Sequence, residues 1–417
     1  MEIWTGSLTE ILLSLAYYRR MKNMDSEEPR APSRLSIVSR NSSNADCHSQ
    51  FSEEEFQRDL HKKPNVVGPG GVPLPRQAEL NAMLDGDQIT VMCFTWNIAA
   101  KPVSGLNSLS ELFAKVPHDE RQDVIAIALQ ELPTSTIRFH NDMVAIVQKA
   151  LDDTHRVYCW VRKWSQMVLI FIRKKLSLYA SYPEYQFVAT KTLASPFRTK
   201  GAIGVCFRLL QTTCVFIACH LTHGKVKKRI SDYAKLSKLF DFRMLKTSSE
   251  VPDTPMKQAD FLFWFGDLNF RIQRKDAAEI IKSELEEKLF KEKINFDFLL
   301  HHDELTVEKT KGLIFHGFRE GIITFPPTHK FYRNTNQFVS NRIPSYTDRV
   351  LYWSRDPSAI YPIRYDCVWA LTVSDHKPVY CTFKMRVLRK RNDASGSVYT
   401  NLTSSNSATS PSAKSCY

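Results

Sequence analysis

Hydrophobic residues in this chain arrive in short unbroken runs, and each run stops at a polar tip. Phe261 to Phe265 is a block of large apolar residues followed by Gly266, Asp267, Leu268 and Asn269. Ile89 to Trp96 ends in Asn97, Val124 to Leu129 in Gln130-Glu131, Cys214 to Cys219 in His220, and Trp369 to Val373 in Ser374-Asp375-His376. Runs of this kind read as strands covered on both faces, which predicts a layered α/β fold. Gly266 permits a close approach of backbone, and a spacing of two brings Asp267 and Asn269 to one side. Any single tip reads as an ordinary turn residue. Together they describe one concave site beyond the carboxyl ends of the strands.

Elsewhere the period changes from two to that of a helix. Ile230, Tyr233, Leu236 and Phe240 share one helical face, with Lys227, Lys228, Lys235 and Lys238 mostly on others. Ile281, Leu285 and Leu289 form a second apolar stripe. His301-His302-Asp303-Glu304 has no spaced partner for a metal, and adjacent residues on a helix point apart, so it reads as surface.

Several carboxylates in one cleft repel one another unless a cation sits among them. An oxygen-rich set without Cys favours Mg²⁺ over Zn²⁺. The implied chemistry is metal-assisted hydrolysis of a phosphoester, in which a carboxylate orients or deprotonates water while His and Asn stabilise charge on the phosphoryl group. Taken singly, His220 and His376 also read as core histidines with satisfied ring nitrogens.

Thr95-Trp96-Asn97, Gln130-Glu131, Trp264-Phe265-Gly266-Asp267-Leu268-Asn269-Phe270-Arg271, Pro344-Ser345-Tyr346-Thr347-Asp348-Arg349-Val350-Leu351 and Ser374-Asp375-His376-Lys377-Pro378-Val379 resemble, in order and spacing, the inositol polyphosphate 5-phosphatases. The resemblance runs from Ile89 to Arg386. It implies an α/β fold, a two-sheet, four-layer sandwich of the deoxyribonuclease I-like, metal-dependent phosphoesterase type. It further implies Glu131 as the main Mg²⁺ ligand, Asn97 beside it, and Asp375 as a metal ligand or a support behind the site. Asp267 would orient or deprotonate water, Asn269 would donate to a phosphoryl oxygen, and His220 would be a second phosphate donor. His376 would hydrogen-bond the scissile phosphate while Asp348 holds its tautomer. Lys330 and Arg342 fit the family's clamp on the 4-phosphate of the inositol ring, and Lys200 and Arg349 add charge. His329 stands where the family has an aromatic residue and Ser340 where it has Lys.

The resemblance sets the expected function as Mg²⁺-dependent removal of the 5-phosphate from PI(4,5)P2 or PI(3,4,5)P3. The alternatives are a soluble inositol polyphosphate 5-phosphatase and a non-catalytic phosphoinositide-binding or scaffold module. A nuclease of the same superfamily would have little reason to keep Lys330 and Arg342, so nucleic acid is not the expected partner. The formal charge of +13 suits anionic lipid, where each nearby Lys or Arg adds ~1 kcal/mol, so peripheral membrane contact is expected. Nine cysteines without a Cys-x-x-Cys pair imply a reduced, cytoplasmic chain. Ser345-Tyr346-Thr347 and the segment from His220 to Val226 are most similar to the type IV, ciliary members, which admits a ciliary location.

Composition divides the chain into an arm and linker over 1–86, mostly disordered, a catalytic domain over 87–388, and a disordered Ser/Thr-rich tail over 389–417. Leu8 to Tyr18 is too short to span a bilayer and reads as an interfacial helix or a loosely packed segment. Cys416 lies one residue from the end, so a four-residue prenylation box is not expected.

Overall fold

The computed structural model describes residues 46–49, 72–102, 105–133, 139–190, 200–245, 254–288, 296–387, 389–390 and 399–400. The main strands in chain order are β1 (Asp46–Ser49), β2 (Gln88–Asn97), β3 (Val124–Gln130), β4 (His155–Lys163), β5 (Gln166–Arg173), β6 (Glu184–Ala189), β7 (Gly201–Leu209), β8 (Thr212–His220), β9 (Phe261–Asp267), β10 (Arg319–Glu320), β11 (Asp348–Ser354), β12 (Ile360–Cys367) and β13 (Val379–Arg386). They form one sheet in the order β1-β4-β5-β3-β2-β13-β12 and a second in the order β10-β11-β9-β8-β7-β6.

Why the runs are unbroken is visible in the packing. Ile89, Val91 and Cys93 of β2 and Phe261, Phe263 and Phe265 of β9 meet in one cluster between the sheets. The alternate residues Met92, Phe94 and Trp96 pack outward against Leu109, Phe113, Phe139 and Met143 of the helices Asn107–Ala114 and Phe139–Leu151. Leu262 and Trp264 pack outward against Tyr233, Leu236 and Phe315. The central strands are apolar on both faces because each sheet is covered on both, which gives the expected four-layer sandwich, whereas the edge strands β6 and β12 are partly exposed. Trp264 is fully buried and meets Phe315 edge-on at 5.3 Å. Truncating such an aromatic costs about 3–5 kcal/mol.

The helix Val226–Leu239 buries Tyr233 and Leu236 as its period predicts, and it also buries Arg229 and Asp232. Ile281 of the helix Ala277–Lys288 is buried in the inter-sheet cluster, whereas Leu289 lies outside the described residues.

Three expectations change. Trp369 to Val373 is not a strand but irregular chain between β12 and β13, and β13 begins only at Val379. His301 and His302 are exposed, yet Asp303 and Glu304 are buried, each paired with an arginine from a distant segment. Packing also starts ahead of residue 87, since the helix Gln77–Met83 carries Leu80 into the inter-sheet cluster, and Leu84 follows it there. The Leu8 to Tyr18 segment and the prenylation box lie outside the described residues, as does most of the expected arm and tail. Among the described residues, no helix is long and apolar enough to cross a membrane.

Candidate active site

Register brings the polar tips together. β2 and β3 run parallel with Asn97 beside Gln130, and β8 and β9 run parallel with His220 beside Asp267. Asp348 and His376 reach the same rim from the other direction. β11 is antiparallel to β9, so Asp348 opens its strand opposite Asp267. β13 is antiparallel to β2 with Val379 opposite Thr95, which places the preceding Ser374, Asp375 and His376 at the end of β2. Ser374 Oγ donates to the Asn97 carbonyl at 2.6 Å, and Trp96 Nε1 donates to the His376 carbonyl at 3.1 Å.

Gly266 occupies φ +140°, and a Cβ there would sit 2.1 Å from the Cys219 carbonyl oxygen, so β8 and β9 can abut only with glycine at this point. Ala99, Ala100, Glu131 and Asn269 all take left-handed backbone with φ between 49° and 59°. Strain of roughly 1–3 kcal/mol per residue is tolerated where surrounding structure enforces it, and it gathers at functional sites.

Asp267 is the hub. Its Oδ2 accepts from Asn97 Nδ2 at 3.0 Å and lies 3.2 Å from His220 Nε2, and its Oδ1 accepts the Asn269 backbone N–H at 3.0 Å. Burial works against ionisation here, but the His220 hydrogen bond and nearby positive charge outweigh it and hold the carboxyl well below the usual range. A base that weak orients water better than it removes a proton. His220 is kept neutral by burial and by the Lys200 ammonium, which also contacts its ring. His220 Nε2 faces both Asp267 and the Lys200 ammonium, and Lys200 Nζ lies 3.3 Å from Nδ1.

Opposite this hub stands a second pair. Asp348 Oδ2 meets His376 Nδ1 at 3.0 Å and also accepts from Thr328 and Thr347 hydroxyls at 2.8 and 2.7 Å. Burial opposes protonation of His376, yet the Asp348 carboxylate, aided by Asp267 and Asp375, pushes its pKa up to about 9. At neutral pH it is an imidazolium, a donor suited to a phosphoryl oxygen.

Asp267, Asp348 and His376 offer ligand atoms within 4.8 Å of one another, a set that could hold a divalent ion, and the buried Asp348 Oδ1 has no hydrogen-bond partner. Glu131 offers a more open carboxylate at the rim, 47% exposed, 3.8 Å from Lys200 and 3.9 Å from His220. Asp375 pairs with Lys330 at 3.1 Å.

The expected substrate cations divide. Lys200 and Lys330 lie at the site, and Arg342 is exposed on the segment that follows Lys330. Arg349 is a correction: its guanidinium is 1% exposed and bonded to Glu320 and Asp303, three contacts of 2.7 Å each. It is a structural cation, buried because β11 is covered on both faces. The sequence reading also passed over Arg271, Thr328 and His329 as contributors. Arg271 stood in plain view at the end of the longest motif, but nothing in its spacing says which way a buried guanidinium turns.

A family model described as "Endonuclease/Exonuclease/phosphatase family 2" matches residues 94–382. Phosphatidylinositol polyphosphate 5-phosphatase type IV of Mus musculus is 34% identical over 309 residues, which cover 70% of this chain and 45% of the relative. The chain therefore spans less than half the length of that relative. Among solved structures, an inositol polyphosphate 5-phosphatase domain of spsynaptojanin, in complex with inositol (1,4)-bisphosphate and calcium ion, superposes with a TM-score of 0.59 at 23% identity, covering 72% of this chain and 85% of that one. A ferrous NO complex of Cimex nitrophorin superposes with a TM-score of 0.57 at 24% identity, covering 72% and 99%. Proteins of unlike chemistry share this fold, so the site residues carry the functional argument.

Proposed function

This chain belongs to endonuclease/exonuclease/phosphatase family 2, and from that membership we propose that it is a Mg²⁺-dependent phosphoinositide 5-phosphatase acting on PI(4,5)P2, PI(3,4,5)P3 or both. The observation that carries this reading is the facing pair of constellations, ionised Asp267 bonded to Asn97 and Asn269 on one side and the Asp348–His376 pair on the other. The name of the Mus musculus relative supports the substrate class.

Water is oriented by the Asp267 carboxylate for in-line attack on the phosphorus. His376, charged and held by Asp348, donates to a phosphoryl oxygen, and the Asn269 amide and His220 supply further donors. Glu131, the open carboxylate at the rim, would hold Mg²⁺ with Asn97 beside it. The bound ion would polarise the phosphoryl group. Asp375 keeps Lys330 in place for the ring phosphates, with Arg342 and Lys200 as further cations. The enzyme works peripherally on the cytosolic face of membranes, with its cations toward anionic lipid.

Phosphate release from PI(4,5)P2 and PI(3,4,5)P3 vesicles, alongside matched soluble inositol phosphates, tests the proposal. Release with Mg²⁺ and none in EDTA is the expected result. Folded protein that binds the vesicles and releases nothing would make it a binding module, and faster turnover of soluble substrate would make it the soluble type of enzyme.

A further inference from the structure

Arg271 is half-buried beside the site. Its Nη2 donates to Asn269 Oδ1 at 2.5 Å, its Nε to the Asn269 carbonyl at 3.3 Å, and its Nη1 to His329 Nδ1 at 2.7 Å. A guanidinium only donates, so each partner's orientation is decided. Asn269 must present Oδ1 to Arg271 and its NH₂ elsewhere. One of those hydrogens goes to the Leu221 carbonyl at 3.0 Å, and the second is left for the site. His329 must accept at Nδ1, which makes it the neutral ring with its proton on Nε2.

The His329 ring then lies against the ring of His376, centroids 4.2 Å apart at 45°. The bond from His376 Nδ1 to Asp348 fixes where one ring nitrogen points but leaves the ring free to turn about that axis. The face of His329 removes this freedom. The backbone of Arg271 is itself clamped: its N–H donates to Glu304 Oε2 at 2.9 Å, its carbonyl accepts the Glu304 N–H at 2.9 Å, and Glu304 is paired with buried Arg229.

We propose that Arg271 and His329 are positioning residues for the phosphoryl site, Arg271 setting the amide of Asn269 and His329 setting the ring plane of His376. The catalytic part of this inference rests on the function proposed above. Misplacement of a reacting group by about 1 Å can cost ~10²-fold in rate.

The test is a double-mutant cycle on Mg²⁺-loaded protein with short-chain PI(4,5)P2. Arg271→Lys lowers kcat by about 10²-fold with KM little changed, and the same substitution made in Asn269→Ala costs less than about threefold, because a residue that acts through another has nothing left to position. Equal losses in both backgrounds overturn the role of Arg271. His329→Phe, which keeps a ring against His376, retains more kcat than His329→Ala; equal values overturn the role of His329. Melting curves for each variant separate these losses from unfolding. Side-chain ¹⁵N NMR supplies a readout independent of turnover. The wild-type His329 shows Nε2 protonated and Nδ1 accepting, and Arg271→Lys moves the Nδ1 shift. A proton on Nδ1 in the wild type overturns the inference even if the enzyme is active. The expected tautomer in protein without turnover keeps the geometry and sinks only the proposed function.

Discussion

Replacing Arg349 with Met asks whether this cation belongs to the fold or to the substrate. Its guanidinium makes a two-pronged contact with Glu320, 2.7 Å at each prong, and a third bond of 2.7 Å to Asp303 Oδ2. Met removes all three and leaves two carboxylates behind, one 0% and the other 12% exposed. Some support survives, since Asp303 still accepts from the Thr306 N–H and Glu320 from the Tyr365 hydroxyl. Breaking a buried pair by removing one partner costs about 3–5 kcal/mol. For a folded body of this size the melting temperature should fall on the order of 10 °C. Arg349→Lys keeps the charge but not the fork, and should fall between wild type and Met. Thermal melting followed by circular dichroism, with KM measured well below the transition, makes the comparison. A Met variant that melts within about 1 °C of wild type while its KM rises tenfold would refute the structural reading and return Arg349 to the substrate clamp.

Other outcomes follow from single positions. Gly266→Ala places a Cβ 2.1 Å from the Cys219 carbonyl oxygen at φ +140°, and should lower the urea midpoint by the equivalent of about 2–4 kcal/mol. His155 is held neutral by burial, with its pKa lowered from 6.5 to about 4. The unfolded chain therefore takes up the proton first, so stability should fall as pH drops below 6.5 and level off near 4, by up to about 3 kcal/mol. In His155→Gln that part of the pH dependence of the urea midpoint should be missing; an unchanged slope would contradict it. Chelation by EDTA should abolish phosphate release, and added Mg²⁺ should restore it in wild type but not in Glu131→Ala.

The fold and half of the site could be read from runs that end in polar residues. That signal works where a strand's carboxyl end meets the site, as for Asn97, Glu131, His220 and Asp267. It is silent where an antiparallel strand begins there, because the functional residue then precedes the apolar run. Asp348 is of this kind, and only resemblance singled it out; His376 also precedes its strand, and the run Trp369 to Val373 that pointed to it is not a strand. Buried charge is equally illegible. Asp303 and Glu304 look like surface beside two exposed histidines, and their partners Arg349 and Arg229 lie 46 and 75 residues away. The partners of Arg271 are close in one direction, Asn269, and distant in the other, His329. Such pairings are fixed by tertiary contact, which no local period encodes.

The most direct test identifies which phosphate leaves. PI(4,5)P2 vesicles with Mg²⁺ are incubated with wild type and with Asp267→Ala, and the products are separated by headgroup. Accumulation of the 4-phosphate lipid with wild type alone is the predicted result. Loss of the 4-phosphate, or equal turnover by the Asp267 variant, would contradict a 5-phosphatase centred on Asp267.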